Sequence, residues 1–502
     1  MLIKPLKTII FTIFLGMVYM MPTVARADCA ENEIDVLGDG TQCETAKFTV
    51  TTTEIAGGGE FKFLMTALGT FYVDCGDGGT LSGTGASGKT IVRTTNTEAS
   101  YTCTYNDAGV KTIHFGGVAS RYHGGAAAAI RFNGGTPTLV AGISGSLGAI
   151  FPTMGVGAVL QPSFRNTFNG CAKLTGSIPE NLFSGISGAP VPTMFQQTFT
   201  GCSNLTGSIP AGLFAGISGA PANTMFSSTF SGCAGLTGTI PAGLFAGISG
   251  PPANNMFYRT FMGCSSLTGS IPENLFAGIS GAPATYMFSG TFNGCAGLTG
   301  TIPENLFAGI SGAPAASMFR STFYRCSNLT GTIPAGLFSG ISGAPASEMF
   351  RETFYYCSGL TGFVPPALFQ GITNSGTVNH MTNVFAGAAG LVTKCPPCHT
   401  QYITGFEQYW SNRVSCEFSV GENEHIYNDV CYQDCGAGIT KIKTSTGLEF
   451  PLFDTNPTVP SLHIQHNGRV CYTPMELGDG GAGSMNILYN NETYHLGVVT
   501  AP

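Results

Sequence analysis

Cys171, Cys202, Cys233, Cys264, Cys295, Cys326 and Cys357 follow one another at a constant interval of 31 residues, and one further interval ends on Ala388. The same skeleton returns around each of them. Before Cys233 stand Met225, Phe226, Thr229 and Phe230; after it come Leu236, Thr237, Gly238, Ile240, Pro241, Leu244, Phe245, Gly247 and Ile248. Ser163 replaces the methionine in the first copy. A unit of this size cannot bury its own apolar residues, so units must stack and share a core. The pattern therefore predicts a right-handed solenoid over residues 163–393, with one short strand per coil, such as Leu236 to Ile240, joining a parallel sheet. Met225 to Phe230 carries apolar residues at helical offsets and reads as a short helix or turn. Pro241 lacks a backbone donor and would end the strand. Gly278 to Pro283 reads as a turn-rich loop. Stacked cysteines point the same way and are odd in number, so they are expected to be buried, unpaired fillers.

The order Phe-x-x-Cys-x-x-Leu followed by Ile-Pro resembles the bacterial surface-protein leucine-rich repeats of the BspA type, and the "LTGSIP" string is similar to the plant-type repeat. The likeness covers Ser163 to Ala388. It implies a leucine-rich-repeat-like fold and a surface or secreted protein that binds other macromolecules. The unit of 31 residues is longer than the usual bacterial one.

The chain opens with Lys4 and Lys7, an apolar run from Ile9 to Met21 and the small-residue site Ala25-Arg26-Ala27. That is the layout of a secretory signal peptide cleaved after Ala27. No later segment is apolar for long enough to span a bilayer, so the mature chain is expected to carry no transmembrane segment. Charged residues make up 10% and the net charge is −7. No basic cluster suited to nucleic acid is visible. From Cys171 to Ala388 the basic residues are Lys173, Arg259, Arg320, Arg325 and Arg351, balanced by Glu180, Glu273, Glu304, Glu348 and Glu352.

Residues 48–122 alternate like β-structure, with turn signals at Gly76-Asp77-Gly78 and Ala108-Gly109. The strings "YVDCGDG" and "YTCTYNDAGVKTIHF" resemble the polycystic-kidney-disease-type immunoglobulin-like domain, a β-sandwich. Cys75 stands where that family commonly has an aromatic, and Cys103 where it has His. Two such departures at facing core sites imply a Cys75–Cys103 disulfide. Asp74 and Asp77 could hold calcium, though they read more simply as turn residues. Residues 28–47 form a leader in which Cys29 is expected to pair with Cys43, and residues 123–162 a connector or capping coil. A Cys-rich segment, 394–440, contains Cys395, Cys398, Cys416, Cys431 and Cys435; with Cys471 these make six, the arithmetic of a disulfide framework. Residues 441–502 read as two β-hairpins, one turning at Asn467-Gly468 and one at Asn490-Asn491.

Cys395-Pro-Pro-Cys398-His399 matches the c-type haem attachment pattern. Four further cysteines nearby and the single copy favour the disulfide reading, with no cofactor and no metal. Glu273 and Glu304 are one period apart and would stack about 5 Å apart. That is the separation of a retaining glycosidase pair, but a surface ladder of like charges is the commoner meaning. The informative variation lies just ahead of the cysteines. Six residues before them stand Arg320 and Arg351, two before Tyr324 and Tyr355, and one before, where earlier copies have Gly, Arg325 and Tyr356. Tyr and Arg are enriched at binding hot spots. These six residues are the expected binding patch of an exported adhesion or binding protein. Its partner would be an extracellular protein or glycan, a host's included. The competing readings are a glycan-active enzyme and a haem protein.

Overall fold

The structure, a computed structural model, describes residues 29–123, 127–155, 161–362, 364–373 and 381–391, and the backbone of short strands between residues 399 and 499. The first part is built from antiparallel strands: β1 (Glu33–Asp35), β2 (Cys43–Thr45), β3 (Phe48–Ile55), β4 (Glu60–Met65), β5 (Leu68–Asp74), β6 (Thr80–Gly83), β7 (Ala86–Ser87), β8 (Thr90–Arg93), β9 (Ala99–Thr104), β10 (Gly109–Arg121), β11 (Ile130–Arg131) and β12 (Val140–Gly145). One sheet runs β12-β3-β10-β5-β8-β7 and the other β11-β4-β9-β6. Alternate residues of each strand point inward, as a sheet with one buried face requires. Phe48, Val50, Phe71, Val73, Ile91, Ile113 and Phe115 from the first sheet meet Phe61, Phe63 and Tyr101 from the second. Phe63 and Phe115 pack edge to face at 5.2 Å. Cys75, just past β5, is bonded to Cys103 in β9 and ties the two sheets together. Cys29 is bonded to Cys43 and closes the β1–β2 hairpin.

The stretch from residue 123 to 162 adds an edge strand to each sheet, β11 beside β4 and β12 beside β3. It also carries the core onward. Phe132 stacks on Phe168 at 5.4 Å and 12°, and its amide donates to the Thr167 carbonyl at 2.7 Å. The sandwich and the units that follow share one hydrophobic core.

The 31-residue units lie one upon another, but not as the expected parallel-sheet, leucine-rich-repeat-like solenoid with short helices. The named strands all pair antiparallel, and among the described residues parallel pairing is confined to isolated bridges. The only helical elements there are the 3-10 turns Pro137–Leu139 and Pro366–Phe369. Leu236 to Ile240 is not a strand. Thr237 makes one bond to the Gly207 carbonyl at 2.8 Å, but Gly238 turns to φ +74° and Pro241 has no N–H, so no ladder propagates. The isolated bridges fall chiefly in the stretch read as a loop, for example Gly219 with Ile248. Met225 to Phe230 is not helical either. Thr224, Ser228 and Gly232 are left-handed, at φ +58°, +56° and +77°, and a left-handed residue at every fourth position forbids a continuous helix.

Those left-handed residues divide the amides into two sets. Phe226, Ser228 and Phe230 donate to carbonyls of the next unit, to Met256 at 3.0 Å, Tyr258 at 2.7 Å and Thr260 at 2.9 Å. Ser227, Thr229 and Cys233 donate back within their own unit, to Thr224 at 3.1 Å, Phe226 at 3.2 Å and Phe230 at 3.1 Å. Every second amide thus stitches layers together while the others close turns. The side chains stack in register: Phe230 on Phe261 at 5.8 Å and 7°, Phe226 on Phe257 at 5.7 Å and 4°, and Phe245 on Phe276 at 6.2 Å and 10°.

The ladder cysteines are all free and buried. They are more than filler. The Cys264 thiol donates to the Phe230 carbonyl of the layer before at 3.0 Å, and Cys233, Cys295, Cys326 and Cys357 do the same to Phe199, Phe261, Phe292 and Phe323. Burial pushes Cys233, Cys295 and Cys357 up to about 12. At neutral pH they are thiols, not thiolates, and therefore poor nucleophiles and poor metal ligands.

Beyond residue 399 the strands pair antiparallel, among them Ser461–His466 with Arg469–Pro474 and Asn486–Tyr489 with Glu492–His495. The expected signal peptide, Cys395, Cys398 and Cys435, and the side chains of His399, Cys416, Cys431 and Cys471 lie outside the described residues.

Candidate functional site

In the layers of Cys202 to Cys357 the residues nine, five and one before the cysteine are left-handed, and the residues six and two before it are partly exposed between the buried phenylalanines, except the buried serines Ser227, Ser231 and Ser289. These five positions form one face of the stack. The position just before the cysteine is Gly201, Gly232, Gly263 and Gly294 in successive layers, at φ +74° to +77°. Glycine adopts that conformation without penalty. Arg325 and Tyr356 occupy it at φ +57° and +56°, and the next layer returns to Gly387 at φ +74°. A left-handed L-residue costs about 1–2 kcal/mol. Two of them side by side mark the place where the face departs from what folding alone favours.

Four of the six expected residues meet there. Tyr324 stacks on Tyr355 at 5.0 Å and 14°, and Tyr355 meets Tyr356 edge to face at 4.5 Å. The Arg325 guanidinium lies over the Tyr324 ring at 5.4 Å and the Tyr356 ring at 5.7 Å. Tyr356 is 48% exposed although it is a large aromatic. Its ring rests on Gly387, where a Cβ would come within 2.8 Å of it.

Arg320 and Arg351 stand beside this cluster but are engaged. Arg320 pairs with Glu348 at 2.7 Å, and Arg351 with Glu348 at 2.6 Å and with Glu352 at 3.5 Å. Burial raises the Glu348 pKa, but bonds from Arg351 and the charge of Arg320 outweigh it, and the carboxyl titrates below its usual value. A carboxyl with a lowered folded-state pKa stabilises above its unfolded pKa, and that contribution fades as acid protonates it. Glu348 and Glu352 therefore hold the edge of the patch and quench two of its cations. The 31-residue period does not reveal Glu348 as the partner of Arg320, because the two are 28 apart in sequence. The same diagonal brings Tyr258 onto Tyr286, edge to face at 5.9 Å, with the Arg259 guanidinium 4.7 Å over Tyr258. A residue six before one cysteine meets the residue nine before the next, so the diagonal could have been found from a single such contact.

Arg325→Gly restores the residue of the preceding layers. Removing the left-handed strain outweighs the loss of the guanidinium–ring contacts, so the variant should be as stable as the parent or more stable by up to about 1 kcal/mol. Urea unfolding checks this; destabilisation beyond 1 kcal/mol would show that Arg325 serves the fold.

Elsewhere the chemistry is structural. Asp74 accepts from the Gly76 amide at 2.9 Å and pairs with Lys89 at 2.7 Å, which occupies the carboxylate proposed for calcium. Among the described residues the one cluster dense enough to hold a metal is Cys29, Glu33 and Cys43, whose two sulfurs are bonded to each other. Glu180, Glu273 and Glu304 are exposed and have no ion-pair partner among the described residues. No described helix is long and apolar enough to cross a membrane. No family model matches the chain, and no curated protein or solved structure matches it.

Proposed function

We propose that this chain is an exported, non-enzymatic binding protein that recognises an extracellular macromolecule through the face formed by Tyr324, Arg325, Tyr355 and Tyr356. The observation that carries the reading is the replacement of left-handed glycine by Arg325 and Tyr356 in two adjacent layers. The other layers use glycine at this position, which carries no such cost, so the fold itself does not call for these two side chains. The exposed rings and the guanidinium are pre-organised against one another and lose little entropy on docking. The secretory layout of the first residues agrees with an extracellular partner.

Screening the mature chain on glycan and matrix-protein arrays beside a Tyr355→Ser/Tyr356→Ser variant tests it. The variant should lose at least tenfold in binding, the scale of a removed aromatic hot spot. Its melting temperature should shift little, because neither ring belongs to the buried core. Equal binding by both chains would remove the face from consideration.

A further inference from the structure

The face carries a second unit of the same design. Tyr258-Arg259 and Tyr324-Arg325 are both Tyr-Arg dipeptides in which the arginine is left-handed, at φ +56° and +57°. In both the guanidinium folds over the ring of its own preceding tyrosine, at 4.7 Å and 5.4 Å. Both arginines are exposed, and among the described residues neither has a carboxylate within ion-pair distance. Of the other arginines of the same face, Arg320 and Arg351 are neutralised by Glu348, while Arg165, six before Cys171, has neither an ion pair nor a ring beneath it among the described residues. Arg259 and Arg325 are the two unpaired cations backed by tyrosine, and each has a further ring beside it, Tyr286 at Tyr258 and Tyr356 at Arg325.

Resting on the binding role proposed above, we infer that the ligand is a linear polyuronate, an acidic glycan whose successive rings each offer a C–H face to tyrosine and a carboxylate to arginine. The two units are two layers apart, on the order of 10 Å along the stack, and are displaced across the face by four residues, since Tyr258-Arg259 stand six and five before Cys264 and Tyr324-Arg325 two and one before Cys326. A ligand that satisfies both must repeat, as a polymer does. Its anion must be planar and able to accept two parallel N–H bonds, which suits a carboxylate. Its rings must be apolar on one face, which a polypeptide of acidic side chains does not provide. A nucleic acid is disfavoured because the stacked units carry equal numbers of acidic and basic residues and cannot compensate a dense line of phosphates.

The experiment is titration of the mature chain with polygalacturonate, with its fully methyl-esterified form, which keeps the rings but not the charge, and with poly-glutamate, which keeps the charge but not the rings. Arg259→Ser and Arg325→Gly are the matching variants. Each installs the residue that other layers carry at that position, so the stack should fold. Polygalacturonate should bind. Each single variant should weaken binding about tenfold, the scale of one charge-assisted contact; the double variant should abolish it, and so should the methyl ester, which removes the carboxylate at both arginines. Failure of polygalacturonate to bind, unchanged affinity in the variants, equal binding of the methyl ester, or equal binding of poly-glutamate would each overturn the inference. If these fail while Tyr355→Ser/Tyr356→Ser still loses its array ligand, the face binds something other than a polyuronate and the broader reading survives.

Discussion

A Phe257→Ala chain is expected to lose about 3–5 kcal/mol of stability, the cost of removing a fully buried aromatic side chain. Phe257 is 0% exposed in the middle of the stack. Its ring lies between Phe226 and Phe288, each at 5.7 Å and within 8° of parallel, and against Phe245 at 4.8 Å and Phe276 at 4.7 Å. The backbone around it is pinned in both directions, its amide donating to Met287 and its carbonyl accepting from Thr291 Oγ1 and the Thr260 amide. The neighbouring layers therefore cannot close on the cavity without breaking cross-layer bonds, which places the cost at the upper end. Phe257→Leu keeps more of the volume and should cost less than half as much. Urea unfolding of the three chains measures this; an alanine variant within about 1 kcal/mol of the parent would mean that the column does not hold the layers together.

Removing the Cys75–Cys103 bond should cost about 3–4 kcal/mol. The bond closes a loop with a sequence separation of 28, and the chain-entropy model gives a value of that size for such a loop. Both sulfurs are buried between the sheets, so Cys75→Ala/Cys103→Ala adds a void to the entropic loss. The consequences should extend past the sandwich, because Phe48 and Phe132 pack on Phe168, the first rung of a phenylalanine column. A double variant melting within a few degrees of the parent would show that the sheets are held by packing alone. The Cys29–Cys43 bond closes a shorter and more exposed hairpin and should matter less.

Much of the interior can be read from the sequence. Residues that recur at the fixed period, such as Phe230, Leu236, Ile240 and Phe245, are the residues found buried, because translation along the stack puts each on its copy. Cys75 and Cys103 could be paired because both depart from the resembled immunoglobulin-like family at facing core sites. The backbone path was not legible. Period and apolar content do not distinguish a parallel strand from a chain of turns. The choice is made by left-handed φ at Thr224 and Ser228, residues whose identity does not demand it. The ladder cysteine reads as filler in a sequence, where its volume is visible and its hydrogen bond to a carbonyl in the adjoining layer is not. Of the candidate face, the Tyr324–Tyr355 stack follows from the period. The Arg320–Glu348 pair and the Tyr258–Tyr286 contact do not, because they run diagonally between layers and depend on how far one turn is displaced against the next.

Hydroxyl-radical footprinting tests, residue by residue, the proposal that the protein meets its partner at the tyrosine and arginine face. Tyr324, Tyr355 and Tyr356 should oxidise readily in the free chain, since Tyr356 is 48% exposed and the other two are partly exposed. With the tightest array ligand at saturating concentration, these three should be protected, while Tyr72 and Tyr122 in the sandwich should be unchanged. Protection confined to residues away from Tyr324, Tyr355 and Tyr356, with those three oxidised as in the free chain, would contradict the claim.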